Sequence, residues 1–182
     1  MKCVSVILAR GGSKGIPNKN IIDVNGKPLI WHSIDASLNS GVEETWVSTD
    51  SKKISIVSEG YGAKVLDRPK ELATDTSPEL DSWKHAINYL QDKESYFERF
   101  ISLPPTAPLR NKEDVTKALD KFDESTDLVV TMTDAQRSPY FNMVKMNNSG
   151  YVETIIKNEN KYIRRQDAPL CYDLTTVAYV SS

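Results

Sequence analysis

The feature that most constrains the fold of this chain is an alternation of strand-like and helix-like segments over its first 133 residues. The β-rich runs are Cys3–Leu8, Thr45–Thr49, Ala63–Leu66, Phe100–Leu103 and Leu128–Thr133. The amphipathic helical patterns between them are Pro28–Leu38, Ser51–Glu59, Pro78–Leu90 and Asn111–Phe122. This alternation predicts an α/β fold, with a mostly parallel sheet covered by helices on both faces.

Helical spacing also predicts which faces are buried. In the first helix the inward residues are expected to be Leu29, Ile30, Ile34 and Leu38. In the third helix they are Leu80, Trp83, Ile87 and Leu90, with Ser77 or Thr76 as the N-cap. In the fourth helix they are Val115, Ala118, Leu119 and Phe122, with Asn111 as the N-cap.

The pattern changes after Thr133. Residues 134–173 are polar and contain short alternating pieces at Tyr151–Ile156 and Lys161–Arg164, which predict an arm protruding from the sheet. Residues 174–182 contain one more strand-like run, Thr176–Val180. We therefore predict a domain at 1–133, an arm at 134–173 and a strand at 174–182 that returns to the sheet.

Composition excludes several classes of protein. The 182 residues carry a formal net charge of −2, which argues against nucleic acids or anionic membranes as partners, because both need a broad basic face. Cys3 and Cys171 are too few for a disulfide framework. The longest apolar run, near Val4–Ala9, is too short to cross a bilayer, and no signal peptide is recognised. We expect a cytoplasmic protein.

The glycine-rich loop after the first strand carries the clearest chemical signal. The segment Arg10–Asn20 reads RGGSKGIPNKN and combines three glycines with the cations Arg10, Lys14 and Lys19. Glycines let a backbone approach an anion closely, and ligands of such sheets bind at the carboxyl ends of strands. The spacing fits neither a P-loop nor the GxGxxG fingerprint. The loop predicts a triphosphate site, the alternative being a glycine turn with solvated charges.

The loop also resembles the signature of the acylneuraminate cytidylyltransferases, or CMP-sialic acid synthetases, which activate sialic-acid-like and other 2-keto sugar acids with CTP. Further segments match this family in its order along the chain: Asn25–Leu29, Ser48–Asp50, Arg68–Asp75, Pro105–Arg110, Arg164–Asp167, and Tyr172 with Tyr179. The resemblance implies a nucleotide-diphospho-sugar transferase-like fold, with the arm forming a homodimer.

The resemblance also implies roles for individual residues. Those expected at the nucleotide are Arg10, Gly11, Gly12, Ser13, Lys14, Lys19, Asn20 and Arg68, with Arg10 and Lys19 as the catalytic cations and Arg68 reading cytosine. Those expected at the sugar are Thr106, Arg110, Arg164 and Arg165. Many family members have glutamine where this chain has Pro104, so the acceptor sugar is not fixed by the motif.

Several of these assignments have structural alternatives. Arg110 can pair with the sugar carboxylate or brace its own loop. Arg164 and Arg165 can instead pair with Asp167 or Glu159 on the surface of the arm. Asp75 can be a turn residue, and the position of Asp50 between a strand and a helix favours a capping role.

The reaction implied by the resemblance joins CTP and an acidic nine-carbon sugar into a CMP-sugar and pyrophosphate, with Mg²⁺ as cofactor. The metal ligands stay unknown, because the family's pair of aspartates is expected beyond Ser182. The alternatives are an octulosonate or sugar-1-phosphate nucleotidyltransferase, and a truncated nucleotide-binding form without turnover.

Overall fold

A six-stranded sheet organises most of the chain in the computed structural model, which describes residues 2–93, 96–157, 159 and 162–182. The strands are β1 Cys3–Leu8, β2 Asp23–Val24, β3 Lys27–Pro28, β4 Glu44–Thr49, β5 Lys64–Asp67, β6 Arg99–Ser102, β7 Leu128–Asp134, β8 Val144–Met146, β9 Val152–Thr154 and β10 Tyr172–Ser181. The α-helices are α1 Leu29–Leu38, α2 Lys52–Gly60, α3 Glu79–Asp92 and α4 Lys112–Asp120, and 3-10 turns lie at Lys19–Ile21, Lys70–Ala73 and Arg165–Asp167.

The large sheet has the strand order β5-β4-β1-β6-β10-β7. β1 pairs in parallel with both β4 and β6, so that Val6 lies opposite Trp46 on one side and Ser102 on the other. β4 pairs in parallel with β5, whereas β10 runs antiparallel to β6. The predicted mostly parallel sheet is therefore confirmed.

Alternation along β1 supplies both faces of the sheet with core residues, because successive side chains of a strand point to opposite sides. Ile7 packs in a cluster with residues of α1, α2 and α4, including Ile34. Val6 packs in a second cluster with Ala86 and Leu90 of α3. Helices cover both faces, as the alternation predicts.

The prediction for α3 is confirmed at Trp83, Ile87 and Leu90, which pack in the second cluster. Leu80 is 53% exposed, so its inward assignment is wrong, and the other buried residues of this helix are the small Ser82 and Ala86. The N-cap is Pro78, with no side-chain cap hydrogen bond, so the predicted caps Ser77 and Thr76 are wrong. A proline at this position pre-sets a backbone angle suited to a helix start without needing a polar cap.

The predictions for the other two helices divide. In α1, the last helical residue, Leu38, is 46% exposed, so its inward assignment is wrong. In α4, the predicted cap is confirmed as a capping box: the Asp114 N–H donates to Asn111 Oδ1 at 2.9 Å, and the Asn111 N–H donates to Asp114 Oδ2 at 3.1 Å. All four apolar residues predicted to face inward from the fourth helical pattern are buried.

A small hairpin formed by β2 and β3 was not predicted. Its turn residues Asn25 and Gly26 both have positive φ, at 56° and 80°. Asn-Gly is the pair that a two-residue hairpin turn of this kind favours. The signal was therefore present in the sequence, but each strand is only two residues long.

The chain divides into two units, Met1–Thr131 with Thr176–Ser182, and Met132–Thr175. The second unit contains an antiparallel hairpin of β8 and β9, in which Val144 lies opposite Thr154. β9 lies within the predicted piece Tyr151–Ile156. Lys161 of the other predicted piece lies outside the described residues, and Tyr162–Arg164 do not form a strand.

The helices in the described part of the chain are all too short or too polar to cross a membrane.

Candidate active site

A cleft of about 610 Å³ lies at the carboxyl end of β1 in the first unit, and its volume suits a small-molecule ligand. The predicted site residues that line it are Arg10, Ser13, Lys14, Lys19, Asn20, Arg68 and Thr106. Gly11 and Gly12 are not among the lining residues. The structure thus gathers most of the predicted nucleotide residues around one cleft, at the sheet edge where parallel strands place ligands.

The loop after β1 is held against the end of β4. The Ala9 N–H donates to the Ser48 carbonyl at 3.0 Å, and the Gly11 N–H donates to Asp50 Oδ1 at 2.8 Å. A Cβ on Gly11 would lie 2.9 Å from the Cβ of Ser51, too close for any side chain. A Cβ on Gly15 would meet open space. The close approach of the loop to Ser51 therefore requires glycine at position 11.

Two cations of this loop share one carboxylate. Arg10 Nη2 lies 2.5 Å from Asp75 Oδ1, and Lys14 Nζ lies 2.5 Å from Asp75 Oδ2. Arg10 Nη1 also donates to the Gly12 carbonyl at 2.8 Å, which fixes the guanidinium within its own loop. Lys14 and Arg10 lower the pKa of Asp75, so this carboxylate is charged at neutral pH.

Asn20 closes the loop. It lies in a 3-10 turn that follows the left-handed residue Asn18, whose φ is 54°. Asn20 is buried, and its Nδ2 donates to the Arg10 carbonyl at 3.0 Å. Its Oδ1 is buried without a hydrogen-bond partner among the described residues. A buried acceptor in this state suits a ligand hydroxyl or amine, since buried polar atoms are normally paired.

Arg68 follows β5 and is only 7% exposed. Its Nε donates to Ser48 Oγ at 3.1 Å and its Nη2 donates to the Ser48 carbonyl at 2.9 Å. Burial lowers the pKa of Arg68 to about 10, while the charges of Asp50 and Glu79 oppose this shift. Burial likewise raises the pKa of Glu79, against the effect of Arg68. The guanidinium remains charged at neutral pH and is held rigidly at the cleft.

The proline loop after β6 forms another wall of the cleft through Pro104, Pro105 and Thr106. Arg110 ends this loop but is buried, and its Nη1 donates to the carbonyls of Pro104 at 3.1 Å and Val177 at 2.5 Å. Burial lowers the pKa of Arg110 to about 10. These contacts favour the bracing interpretation of Arg110 over the pairing with a sugar carboxylate.

Arg164 and Arg165 belong to the second unit. Arg164 forms a two-pronged pair with Asp167, with Nη2 2.8 Å from Oδ1 and Nε 3.0 Å from Oδ2. Arg165 Nη2 donates to the Ala135 carbonyl at 2.8 Å. Arg164 therefore makes the surface pair that the sequence left open as an alternative, and both guanidinia have partners within their own unit.

Within residues 2–93, 96–157, 159 and 162–182, no three His, Cys, Asp or Glu side chains come together as a metal-binding group. Two carboxylates that contact the loop are already engaged, Asp50 with the Gly11 N–H and Asp75 with Arg10 and Lys14. These described residues therefore do not fit a resident magnesium ion.

Some lining residues were missed by the sequence analysis. They include Ile16, Leu72, Ser77, Glu79, Ser82 and Thr176. Glu79 and Ser82 lie in the first turn of the helix that follows the Arg68–Asp75 segment, so their closeness in the chain to that segment could have indicated them. Thr176 is far away in the chain and reaches the cleft only because β10 lies beside β6, which no local pattern indicates.

Comparison with known proteins decides the family. The cytidylyltransferase family model matches residues 4–179. This chain belongs to the cytidylyltransferase family. The family assignment agrees with the predicted class, a nucleotidyltransferase, and the resemblance seen in the motifs is confirmed by the relatives.

Three relatives show the range of similarity. A pseudaminic acid cytidylyltransferase of Campylobacter jejuni is 44% identical over 124 residues, covering 67% of this chain and 53% of the relative. A CMP-N,N'-diacetyllegionaminic acid synthase of the same organism is 38% identical over 180 residues, covering 96% and 74%. An N-acylneuraminate cytidylyltransferase of Streptococcus agalactiae is 33% identical over 176 residues, covering 94% of this chain. The chain spans 41% of that relative's length.

A solved structure supports the fold of this cytidylyltransferase family member. The structure of a CMP:2-keto-3-deoxy-manno-octonic acid synthetase complexed with CTP has a TM-score of 0.74 and 22% identity. The match covers 100% of this chain and 74% of the other. The nucleotidyltransferase-like α/β architecture implied by the motifs is thus confirmed.

Proposed function

We propose that this chain transfers a cytidylyl group from CTP to a sialic-acid-like 2-keto sugar acid, giving a CMP-sugar and pyrophosphate. The observation that carries the proposal is the convergence of Arg10, Lys14 and Lys19 with the buried Arg68 around one cleft, in a chain that matches the cytidylyltransferase family over residues 4–179. The relatives act on sugar acids of this class by their names.

In the proposed reaction, the anomeric hydroxyl oxygen of the sugar attacks the α-phosphorus of CTP. The bond between the α-phosphorus and the oxygen that bridges to the β-phosphorus breaks, and pyrophosphate leaves with that oxygen. The attacking hydroxyl gives up its proton to solvent. Negative charge develops on the phosphoryl oxygens and on the leaving group, and fixed cations lower the barrier by stabilising this charge.

Arg10 and Lys19 are the cations we assign to this role, since both line the cleft within the loop after β1. Ser13 and Lys14 would contact the outer phosphates. Mg²⁺ enters as the counter-ion of the CTP substrate.

We assign the cytosine base to Arg68 and the ribose to Asn20. Arg68 is a fixed donor and suits the carbonyl oxygen of cytosine. Asn20 has a buried Oδ1 that needs a donor, and a ribose hydroxyl would supply one. Gly11 and Gly12 do not line the cleft and would shape the loop whose other residues contact the phosphates.

The acceptor sugar is assigned to the wall formed by Pro104, Pro105 and Thr106. We further propose that the second unit forms a homodimer, through which Arg164 and Arg165 approach the sugar carboxylate of a neighbouring site. Apolar side chains exposed on this unit support the dimer, among them Ile163 at 90%, Leu170 at 81% and Tyr151 at 73%. We place the protein in the cytoplasm, where its two free cysteines would stay reduced.

Pyrophosphate release tests the proposed function. The purified chain is incubated with Mg²⁺, each of CTP, UTP, ATP and GTP, and each of N-acetylneuraminic, legionaminic, pseudaminic and octulosonic acids. We expect release only with CTP and one or more of the nine-carbon acids, and loss of release in Lys19→Ala but not in the surface variant Lys53→Ala. Release with every nucleotide, or with octulosonic acid alone, would contradict the proposal.

A further inference from the structure

The groups of the loop after β1 that would bind phosphate are already paired with the protein's own carboxylates. Asp75 uses one oxygen on Arg10 and the other on Lys14, each at 2.5 Å. Asp50 accepts the N–H of Gly11 at 2.8 Å. Two cations and one backbone donor, the kinds of group that bind phosphate oxygens, thus hold carboxylate oxygens in the unliganded protein.

We infer that Asp75 is a stand-in anion that the phosphates of the nucleotide displace and that returns to Arg10 and Lys14 as pyrophosphate leaves. This inference rests on the proposed function and deepens it by assigning a role to a residue outside the phosphate loop.

The charges indicate that the phosphates displace the Asp75 carboxylate from Arg10 and Lys14, and that the two anions do not bind these cations together. A triphosphate that contacts Arg10 and Lys14 would bring its negative oxygens within a few ångströms of the Asp75 carboxylate, and like charges at that separation repel strongly near a protein surface. Lys14 is 83% exposed, so its side chain is free to swing from the carboxylate to a phosphate.

The position of Asp75 in the chain allows it to move. It lies between the 3-10 turn Lys70–Ala73 and the first residue of α3, in a segment that belongs to neither. Its carboxylate is about one-third exposed, so withdrawal does not require the core to open.

The exchange gives Asp75 a defined effect on binding. The carboxylate competes with every polyphosphate for the same two cations, which weakens the binding of CTP and of pyrophosphate. The nucleoside end of the ligand is not affected by this competition. Asp75 therefore favours the departure of pyrophosphate, the product that occupies the cation pair most fully.

Calorimetric titration of Asp75→Asn tests this inference, with Asp75→Glu as the conservative variant and Asp81→Asn on α3 as the matched control. The probes are inorganic pyrophosphate, CTP and cytidine, all in Mg²⁺ buffer. We expect Asp75→Asn to bind pyrophosphate and CTP roughly tenfold more tightly, the size of one lost charged competitor, with cytidine affinity unchanged. Asp75→Glu and Asp81→Asn should match the wild type.

A weaker or unchanged affinity of Asp75→Asn for pyrophosphate would overturn the inference, because a residue that merely supports the loop cannot improve binding when it is removed. A second measurement on the wild type guards against misfolding of the variant. The carboxyl carbon resonance of Asp75 reports its pKa, which should rise towards an ordinary value when pyrophosphate displaces it, and a pKa that stays low would also overturn the inference. If the wild type binds neither CTP nor pyrophosphate, the proposed function fails; if it binds both and Asp75→Asn binds no better, the role of Asp75 alone fails.

Discussion

Arg110 donates from Nη1 to the carbonyl oxygen of Val177 at 2.5 Å, and this bond ties the proline loop to β10. The same guanidinium donates to the Pro104 carbonyl and to Ser33 Oγ of α1. One side chain therefore connects a strand, a loop and a helix beneath the wall assigned to the sugar. A planar fork with several donors suits this task better than the single point charge of lysine.

Replacing Arg110 should reduce stability more than it reduces substrate recognition. Arg110→Ala removes the hydrogen bonds of the buried guanidinium to the carbonyls of Pro104 and Val177 and to Ser33 Oγ, and we expect it to lower the free energy of unfolding by about 2–4 kcal/mol. Arg110→Lys should retain part of this. Urea denaturation measures the effect, with the exposed neighbour Lys112→Ala as the control. A midpoint for Arg110→Ala equal to that of the wild type would refute the bracing role.

Gly11 and Gly15 form a matched pair for testing the loop. In Gly11→Ala the new methyl group would meet Ser51 at 2.9 Å, so the loop must shift away from β4. We expect this variant to lose at least tenfold in CTP affinity, about the value of one charge-assisted contact. Gly15→Ala meets nothing within 4 Å and should fold with wild-type stability. Thermal denaturation and calorimetry on both variants check this, and equal CTP affinities for the wild type and Gly11→Ala would contradict it.

Lys19 should contribute to binding of the triphosphate as well as to the rate. We expect Lys19→Ala to weaken CTP binding by about 1.5–3 kcal/mol, the cost of one charge-assisted contact. Its effect on kcat/KM should be larger, because charge on the phosphoryl group grows in the transition state. Titration and steady-state kinetics provide the two values, and Lys53→Ala on α2 should change neither. Equal losses in both would show that Lys19 binds but does not assist the chemistry.

Arg68 should determine which base is accepted. Its contacts with Ser48 hold the guanidinium at the cleft, so Arg68→Gln should reduce the preference for CTP over ATP and GTP by roughly tenfold or more. Arg68→Lys retains the positive charge but not the planar guanidinium with its several donors. Its preference for CTP should lie between those of the wild type and Arg68→Gln. Competition titrations with the three nucleotides measure the preference. If Arg68→Gln is as selective as the wild type, the base is recognised elsewhere.

The second unit should support self-association. We expect light scattering at tens of micromolar to give the mass of a dimer for the wild type. Replacing two exposed apolar residues, as in Ile163→Asp with Leu170→Asp, should shift the mass towards the monomer, because buried interfaces reject unpaired charges. Leu109→Asp, which alters an equally exposed residue of the first unit, is the control. A wild-type monomer would contradict the proposed homodimer.

Sequence patterns predicted the sheet and the place of the cleft well, because both depend on local periodicity and on a general rule for parallel strands. The capping box at Asn111 and the buried face of α4 follow directly from residue types at fixed spacing. Leu80 of α3 was the exception, since it is exposed while the small residues Ser82 and Ala86 are buried. Small residues allow that helix to approach the sheet closely, and hydrophobicity alone does not reveal this.

The cleft was predicted in part. Residues of the Arg10–Asn20 loop came from one contiguous motif, and the structure gathers most of them. The contacts of Asp75 with Arg10 and Lys14 join residues more than sixty positions apart, and no spacing rule indicates them. Arg110 illustrates the same limit, because its burial depends on where β10 enters the sheet.

The placement of β10 also affects how the molecule is made. β10 lies between β6 and β7 although it follows both of them in the chain. On the ribosome, the slot between these two strands stays open until β10 emerges, and until then β7 lacks the neighbour whose Val177 and Ala178 N–H groups donate to Thr131 Oγ1. Completion of the sheet, and with it the delivery of Thr176 to the cleft, is therefore a late and non-local event. Such events are slow, and they leave strand edges open to pairing with other chains in the meantime. Newly made chains should accordingly need protection from aggregation until β10 is paired in the sheet.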